Sequence, residues 1–297
     1  MKWDPEGKPR KPDVLGIGAQ KAGTTWLSQM LSQHPDIWAP PFKEVQFFNH
    51  RYIEEHREWL PWHFNRTKKN IRESWASRGR EMPAHLTDYL ERLTRGEMFT
   101  NHWYKRVFAP TPVGALAMDV TPEYSTLPDE GVDFIGKFLP NAKFVYVIRH
   151  PVDRAISQMR MNMRRLKRTP RTDDDWKAEV EDPVLMDRGD YATYVPRWRA
   201  RFGPDRLLIL PFGQIAADPL ELLARVHVPV GDPFQLQADP ASAAAQALMG
   251  RALTGAAPSP SSTPPLEQPP PPSAPEQDHP GGEHQFSPRL SPTPGES

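Results

Sequence analysis

Residues 14–34 constrain the fold more than any other stretch of the chain. Val14 to Ala19 (VLGIGA) is apolar without alternation, the pattern of a strand covered on both faces within a parallel sheet. Thr25 to His34 carries Trp26, Leu27, Met30 and Leu31 at helical spacing, and Pro35 stops it. Between them runs Gly18-Ala19-Gln20-Lys21-Ala22-Gly23-Thr24-Thr25. Glycine lets the backbone turn tightly and approach an anion, and the free N–H groups that open a helix supply positive potential. Strand, glycine-bearing turn and helix in this order make a phosphate cradle.

The rest of the ordered sequence repeats that alternation. Further strands are expected at Val113 to Val120, Lys143 to Ile148 and Arg206 to Leu210, with helices at Asp129 to Leu139, Pro151 to about Arg165, and Asp190 to Phe202, where Pro196 marks an interruption. Residues 53–106, charged and aromatic, read as helices and loops. The alternation implies an α/β fold with a central, mostly parallel sheet flanked by helices in three layers, and the spacing of the glycine-bearing turn after its first strand makes it P-loop-like. In such sheets ligands bind beyond the carboxyl ends of the strands.

Proline decides where this fold ends. The 36 prolines among 297 residues crowd towards the C-terminus, where Ser, Gln, Glu and Gly interleave with them and too little apolar surface remains to bury. The organisation read from this is a flexible N-terminus (1–12), one domain (13–235) and a low-complexity, disordered tail (236–297). The run Pro269 to Pro272 is a candidate ligand for a polyproline-binding partner, although a solvated tail is the simpler reading.

Lys plus Arg and Asp plus Glu are equal at 37 each, so no overall field draws the chain to nucleic acid or an anionic membrane, and an anion site must be local. The absence of cysteine excludes disulfides, thiolate zinc and a Cys nucleophile. With no apolar window long enough to span a bilayer, the expected location is cytoplasmic. The histidines show no metal-ligand spacing, and no metal is expected. Asp173 to Asp175 reads as a hydrated loop, Arg160 to Arg171 as a solvated helix end, and Arg154 as a surface or ion-pair residue.

The loop at Gly18 is one step from the nucleotide-binding pattern G-x-x-x-x-G-K-[ST], which keeps a P-loop-like kinase as an alternative. Thr24 stands where that pattern has lysine, and the loop's lysine is Lys21. A second constellation is Arg149 at the exit of the Lys143–Ile148 strand, with Ser157 eight residues on in the next helix; guanidinium and hydroxyl converge on one phosphate. A third is Lys43-Glu44-Val45-Gln46-Phe47-Phe48, which sets a carboxylate near the cradle where it is able to take a proton.

Together these motifs resemble the sulfotransferases that use 3′-phosphoadenosine 5′-phosphosulfate (PAPS), in particular the heparan sulfate sulfotransferase-like branch and its bacterial members. The resemblance covers about Asp13 to Arg225; the family's closing helix and late basic loop are not recognised beyond Val226. It implies that Lys21, Ala22, Gly23, Thr24, Thr25 and Trp26 hold the 5′-phosphosulfate, and that Arg149 and Ser157 hold the 3′-phosphate. It further implies that Glu44 is the general base, that Lys21 offsets charge on the leaving oxygen, and that Lys43 lines the acceptor site. Asp119-Val120-Thr121-Pro122-Glu123-Tyr124 resembles a segment on the acceptor side. The expected activity is sulfuryl transfer to a hydroxyl or amine of a carbohydrate or small-molecule acceptor. A scaffold protein acting through its Pro-rich tail is the third reading.

Overall fold

A computed structural model describes residues 3–167 and 169–226. In chain order the elements are β1 (Val14–Gly18), α1 (Thr24–Leu31), β2 (Ile37–Trp38), α2 (Phe47–Tyr52), α3 (Glu54–Arg57), α4 (Leu60–Ala76), α5 (Ala84–Thr94) and α6 (Asn101–Val107). There follow β3 (Leu116–Val120), a 3-10 turn (Pro122–Thr126), α7 (Asp129–Phe138), β4 (Lys143–Ile148), α8 (Pro151–Leu166), α9 (Asp173–Val180) and α10 (Pro183–Asp187). The last are α11 (Tyr191–Arg206), β5 (Leu207–Pro211), α12 (Gly213–Ala217) and α13 (Pro219–Arg225).

The five strands form one sheet in the order β2-β3-β1-β4-β5, every pair parallel. Leu15 faces Asp119 on one side and Phe144 on the other, so β1 is central. All five of its residues are buried, which explains a run without alternation. One aromatic cluster gathers Phe47, Phe48, Tyr104, Tyr124 and Phe138. A second joins Phe144 of β4 to Trp198 and Phe202 of α11. The α/β fold with a central parallel sheet flanked by helices is therefore the one read from the sequence.

Several elements differ from that reading for local reasons. The third strand starts at Leu116, because Gly114 turns at φ 84 and Val113 stands 94 % exposed. The edge strand β2 has two residues, too few to show a period. Pro196 is carried inside α11, which breaks instead at Gly203 (φ 64) before Pro204. Asp173 to Asp175 are the first turn of α9 rather than a loop, capped by reciprocal hydrogen bonds between Thr172 and Asp175. Arg154 is not at the surface: it is 1 % exposed and donates to Gln158 Oε1 at 2.7 Å and to the Leu185 carbonyl.

At the N-terminus, Trp3 packs edge-on against Trp38 and Tyr89, and Arg10 pairs with Asp13 at 2.7 Å. Among the described residues no helix is long and apolar enough to cross a membrane. The tail at 236–297, its Pro269–Pro272 run and the end of the domain beyond Val226 lie outside the described residues.

Candidate active site

From the central strand β1 the chain leaves towards β2 and β3; from β4 it leaves towards β5. The loops after β1 and β4 thus depart in opposite directions and open a crevice at their carboxyl ends. A cavity of about 270 Å³ lies there. Of the ten residues singled out from the sequence, nine line it: Lys21, Gly23, Thr24, Thr25, Trp26, Lys43, Glu44, Arg149 and Ser157. Ala22 is wholly buried behind them. Another cavity, of about 210 Å³, lies between Trp3–Pro9 and helices α5 and α6, and holds none of the ten.

The loop is built tightly. Lys21 and Gly23 both adopt the left-handed region, at φ 69 and 86. Gly23 has a second reason to be glycine, since a Cβ there would sit 2.6 Å from Ile215 Cδ1 and 3.0 Å from the Phe212 ring. Glu44 is also left-handed, at φ 67, and its N–H donates to the Val120 carbonyl at 3.1 Å. Asp119 beside it accepts from Thr121 Oγ1 at 2.8 Å and from the hydroxyls of Tyr104 and Tyr124 at 2.9 and 3.0 Å. Burial pushes the Asp119 carboxyl up to about 6, against the pull of those three hydroxyls. It anchors the framework under the β3 exit.

Positive charge collects in the cavity. Lys21 Nζ has Met161 Sδ at 3.7 Å, and Arg149 donates from Nη1 to the Lys21 carbonyl at 3.2 Å while its guanidinium lies 4.4 Å from the Phe212 ring. Arg149 Nε is buried without a hydrogen-bond partner. Among the described residues no carboxylate comes within ion-pair distance of Lys21 or Arg149. Burial holds the Lys21 ammonium below the usual lysine range, and Arg164, Lys43 and Arg149 push it the same way, with Glu44 opposing. An anion entering the cavity would relieve all of these at once.

Lys43 bridges the two sides. It donates to Thr24 Oγ1 at 3.3 Å, to Thr25 Oγ1 at 3.1 Å and to Glu44 Oε1 at 3.3 Å. It thus sits on the hydroxyls that open α1 as well as beside the carboxylate. Burial pushes Glu44 above the ordinary carboxylate range; Lys43 draws it back.

The family is settled by the extent of the match. A model of the sulfotransferase family aligns with residues 12–235 of the 297. The chain belongs to the sulfotransferase family. Among its curated relatives are the human bifunctional heparan sulfate N-deacetylase/N-sulfotransferase 3, 26% identical over 73% of this chain and 22% of its own length, and human heparan sulfate glucosamine 3-O-sulfotransferase 3A1, 24% identical over 75% of this chain and 45% of its own. The chain therefore spans about a fifth of the first and under half of the second. Solved structures like it include a sulfotransferase from Alicyclobacillus acidocaldarius, with TM-score 0.49 and 24% identity over 73% of this chain and 79% of that one. Another is a mouse sulfotransferase complexed with PAP, with TM-score 0.43 and 13% identity over 84% of this chain and 66% of that one.

Sequence reasoning missed part of the candidate site. Phe212 and Ile215, which roof Gly23, follow β5 at the carboxyl edge of the sheet, so their position after a strand was the available signal. Gln20 lines the cavity and bonds to Arg188 and Glu123. Nothing in the local sequence marks Arg188. Among the described residues no three His, Cys, Asp or Glu side chains gather as metal ligands.

Proposed function

We propose that this chain transfers the sulfuryl group of PAPS to a hydroxyl or amine of an acceptor, most naturally a carbohydrate. The observation that carries the reading is the pair of unbalanced cations, Lys21 and Arg149, meeting in one cavity at the sheet's switch point. The buried, unpartnered Nε of Arg149 is a donor in want of an acceptor, as a phosphate site requires. PAPS brings an activated sulfuryl group and, at its other end, a 3′-phosphate.

The residues divide the work. Gly23 and the first free amides of α1, with the Thr24 and Thr25 hydroxyls, hold the 5′ end. Arg149 and Ser157 hold the 3′-phosphate. Glu44 takes the proton from the acceptor as its oxygen or nitrogen bonds to sulfur; its raised pKa makes it the better base. Lys21 stabilises the negative charge left on the phosphate oxygen as the sulfur–oxygen bond breaks. Lys43, linked to both threonines and to Glu44, keeps the two halves in line.

A carbohydrate acceptor is supported by the names of the heparan sulfate relatives. The P-loop-like kinase is disfavoured because Thr24 occupies the position of the phosphate-gripping lysine. Titration calorimetry with 3′-phosphoadenosine 5′-phosphate and with ATP separates the two readings. The bisphosphate is expected to bind at least tenfold tighter, roughly the worth of one charge-assisted contact, and Arg149→Ala is expected to erase that preference. Equal affinity in the wild type would overturn the assignment.

A further inference from the structure

A buried polar cluster behind the cavity has no part in the chemistry above. Glu123, in the turn after β3, is 4 % exposed. Its Oε2 accepts from Gln46 Nε2 at 2.8 Å, and its Oε1 is ion-paired with Arg188. Arg188 also reaches the other way, donating from Nη1 to Gln20 Oε1 at 2.6 Å. Gln20 Nε2 lies 3.4 Å from Glu123 Oε1 and closes the ring.

The two glutamines sit at informative places. Gln20 directly precedes Lys21, and Gln46 follows Glu44 by two residues. Lys21, Glu44 and Gln46 all hold positive φ, at 69, 67 and 59, a conformation that residues with side chains adopt at a cost and keep only when their surroundings impose it. Helix α10, which leads into Arg188 and the turn before α11, is itself fastened by buried Arg154 through the Leu185 carbonyl. A Cβ at Gly189 would come within 3.2 Å of Arg154 Nε, so glycine lets that guanidinium reach the turn.

We propose that Arg188 is a positioning residue: its two Nη groups hold Glu123 and Gln20 at once and so fix the Lys21 loop against the Glu44 segment. The purpose assigned to this clamp rests on the sulfotransferase reading. A lysine in its place would keep the positive charge beside Glu123 but could not span both partners, because the fork belongs to the guanidinium alone. Mere charge neutralisation and positioning therefore respond differently to Arg188→Lys.

The test uses the full chain with Arg188→Lys, Gln20→Met and the double variant. Three quantities are measured: the thermal midpoint, affinity for 3′-phosphoadenosine 5′-phosphate, and hydrogen exchange of the amides of residues 21–25 in the ligand-free protein. Arg188→Lys is expected to keep its midpoint within a few degrees while affinity falls about tenfold and exchange of the loop amides speeds up several-fold. Gln20→Met is expected to do the same, and the double variant to be no worse than either alone. Wild-type affinity and exchange in Arg188→Lys, or losses that multiply in the double variant, would overturn the proposal. If Arg188→Lys does not fold, Gln20→Met cuts one arm of the clamp and decides alone. If the wild type binds no bisphosphate, the functional reading falls, while the exchange comparison still decides whether Arg188 positions the loop.

Discussion

Two charged regions lie side by side in this molecule, and they are balanced differently. Around Glu123 every charge is answered: Arg188 pairs with it, and Gln46 and Gln20 take the remaining contacts. Around Lys21 and Arg149 the charges are left open, with a thioether, a backbone carbonyl and an aromatic face in place of carboxylates. A buried ion pair that is fully satisfied holds structure, whereas crowded cations without counter-ions cost stability until an anion arrives. On the proposed function, the contrast separates framework from site.

The sharpest test of that contrast is Lys21→Ala. On the proposed function, removing the cation that offsets charge on the leaving oxygen is expected to cost a thousandfold or so in sulfuryl transfer, with the thermal midpoint unchanged or raised. A fall in stability comparable to the loss of turnover would show that Lys21 belongs to the framework after all. The mirror experiment is Glu123→Ala, which leaves Arg188 buried without its partner. Equilibrium unfolding in urea is expected to show a loss of about 3–5 kcal/mol; a loss under about 1 kcal/mol, the range of a surface pair, would erase the distinction between the regions.

Glu44→Gln probes the border between them and is expected to lower kcat by about a hundredfold. Burial raises the Glu44 pKa, and only the deprotonated form accepts a proton. Wild-type kcat should therefore fall as pH drops through a value above the ordinary carboxylate range, and the variant should lack that acid limb. An acid limb that persists unaltered in Glu44→Gln would assign the base to another group.

How much of this was legible in the sequence follows from how local each signal is. The β4 strand matches its expected span, Lys143 to Ile148, because a β-branched and aromatic run needs no distant partner to declare itself. The loop around Lys21 and the exit at Arg149 were legible for a similar reason: each lies directly after a short apolar run that reads as a buried strand. Arg188 and Glu123 carry no such mark. They are 65 residues apart and become partners only when the α10–α11 turn is laid against the 3-10 turn after β3. Arg154 was misread on the same ground, since an arginine in a first helical turn usually faces solvent and here faces the Leu185 carbonyl. Composition favours the commoner fate of a charged residue, and tertiary packing supplies the exceptions.

The roof over Gly23 has a consequence for how the protein comes into being. Phe212 and Ile215 close over a loop made nearly two hundred residues earlier, so the candidate site cannot mature during synthesis until α12 has left the ribosome. Up to that moment the nascent chain carries a cradle with one wall missing, and contacts of such long sequence separation form late. Competence to hold a ligand there should then be gained in a single step once α12 emerges rather than accumulating as the sheet grows.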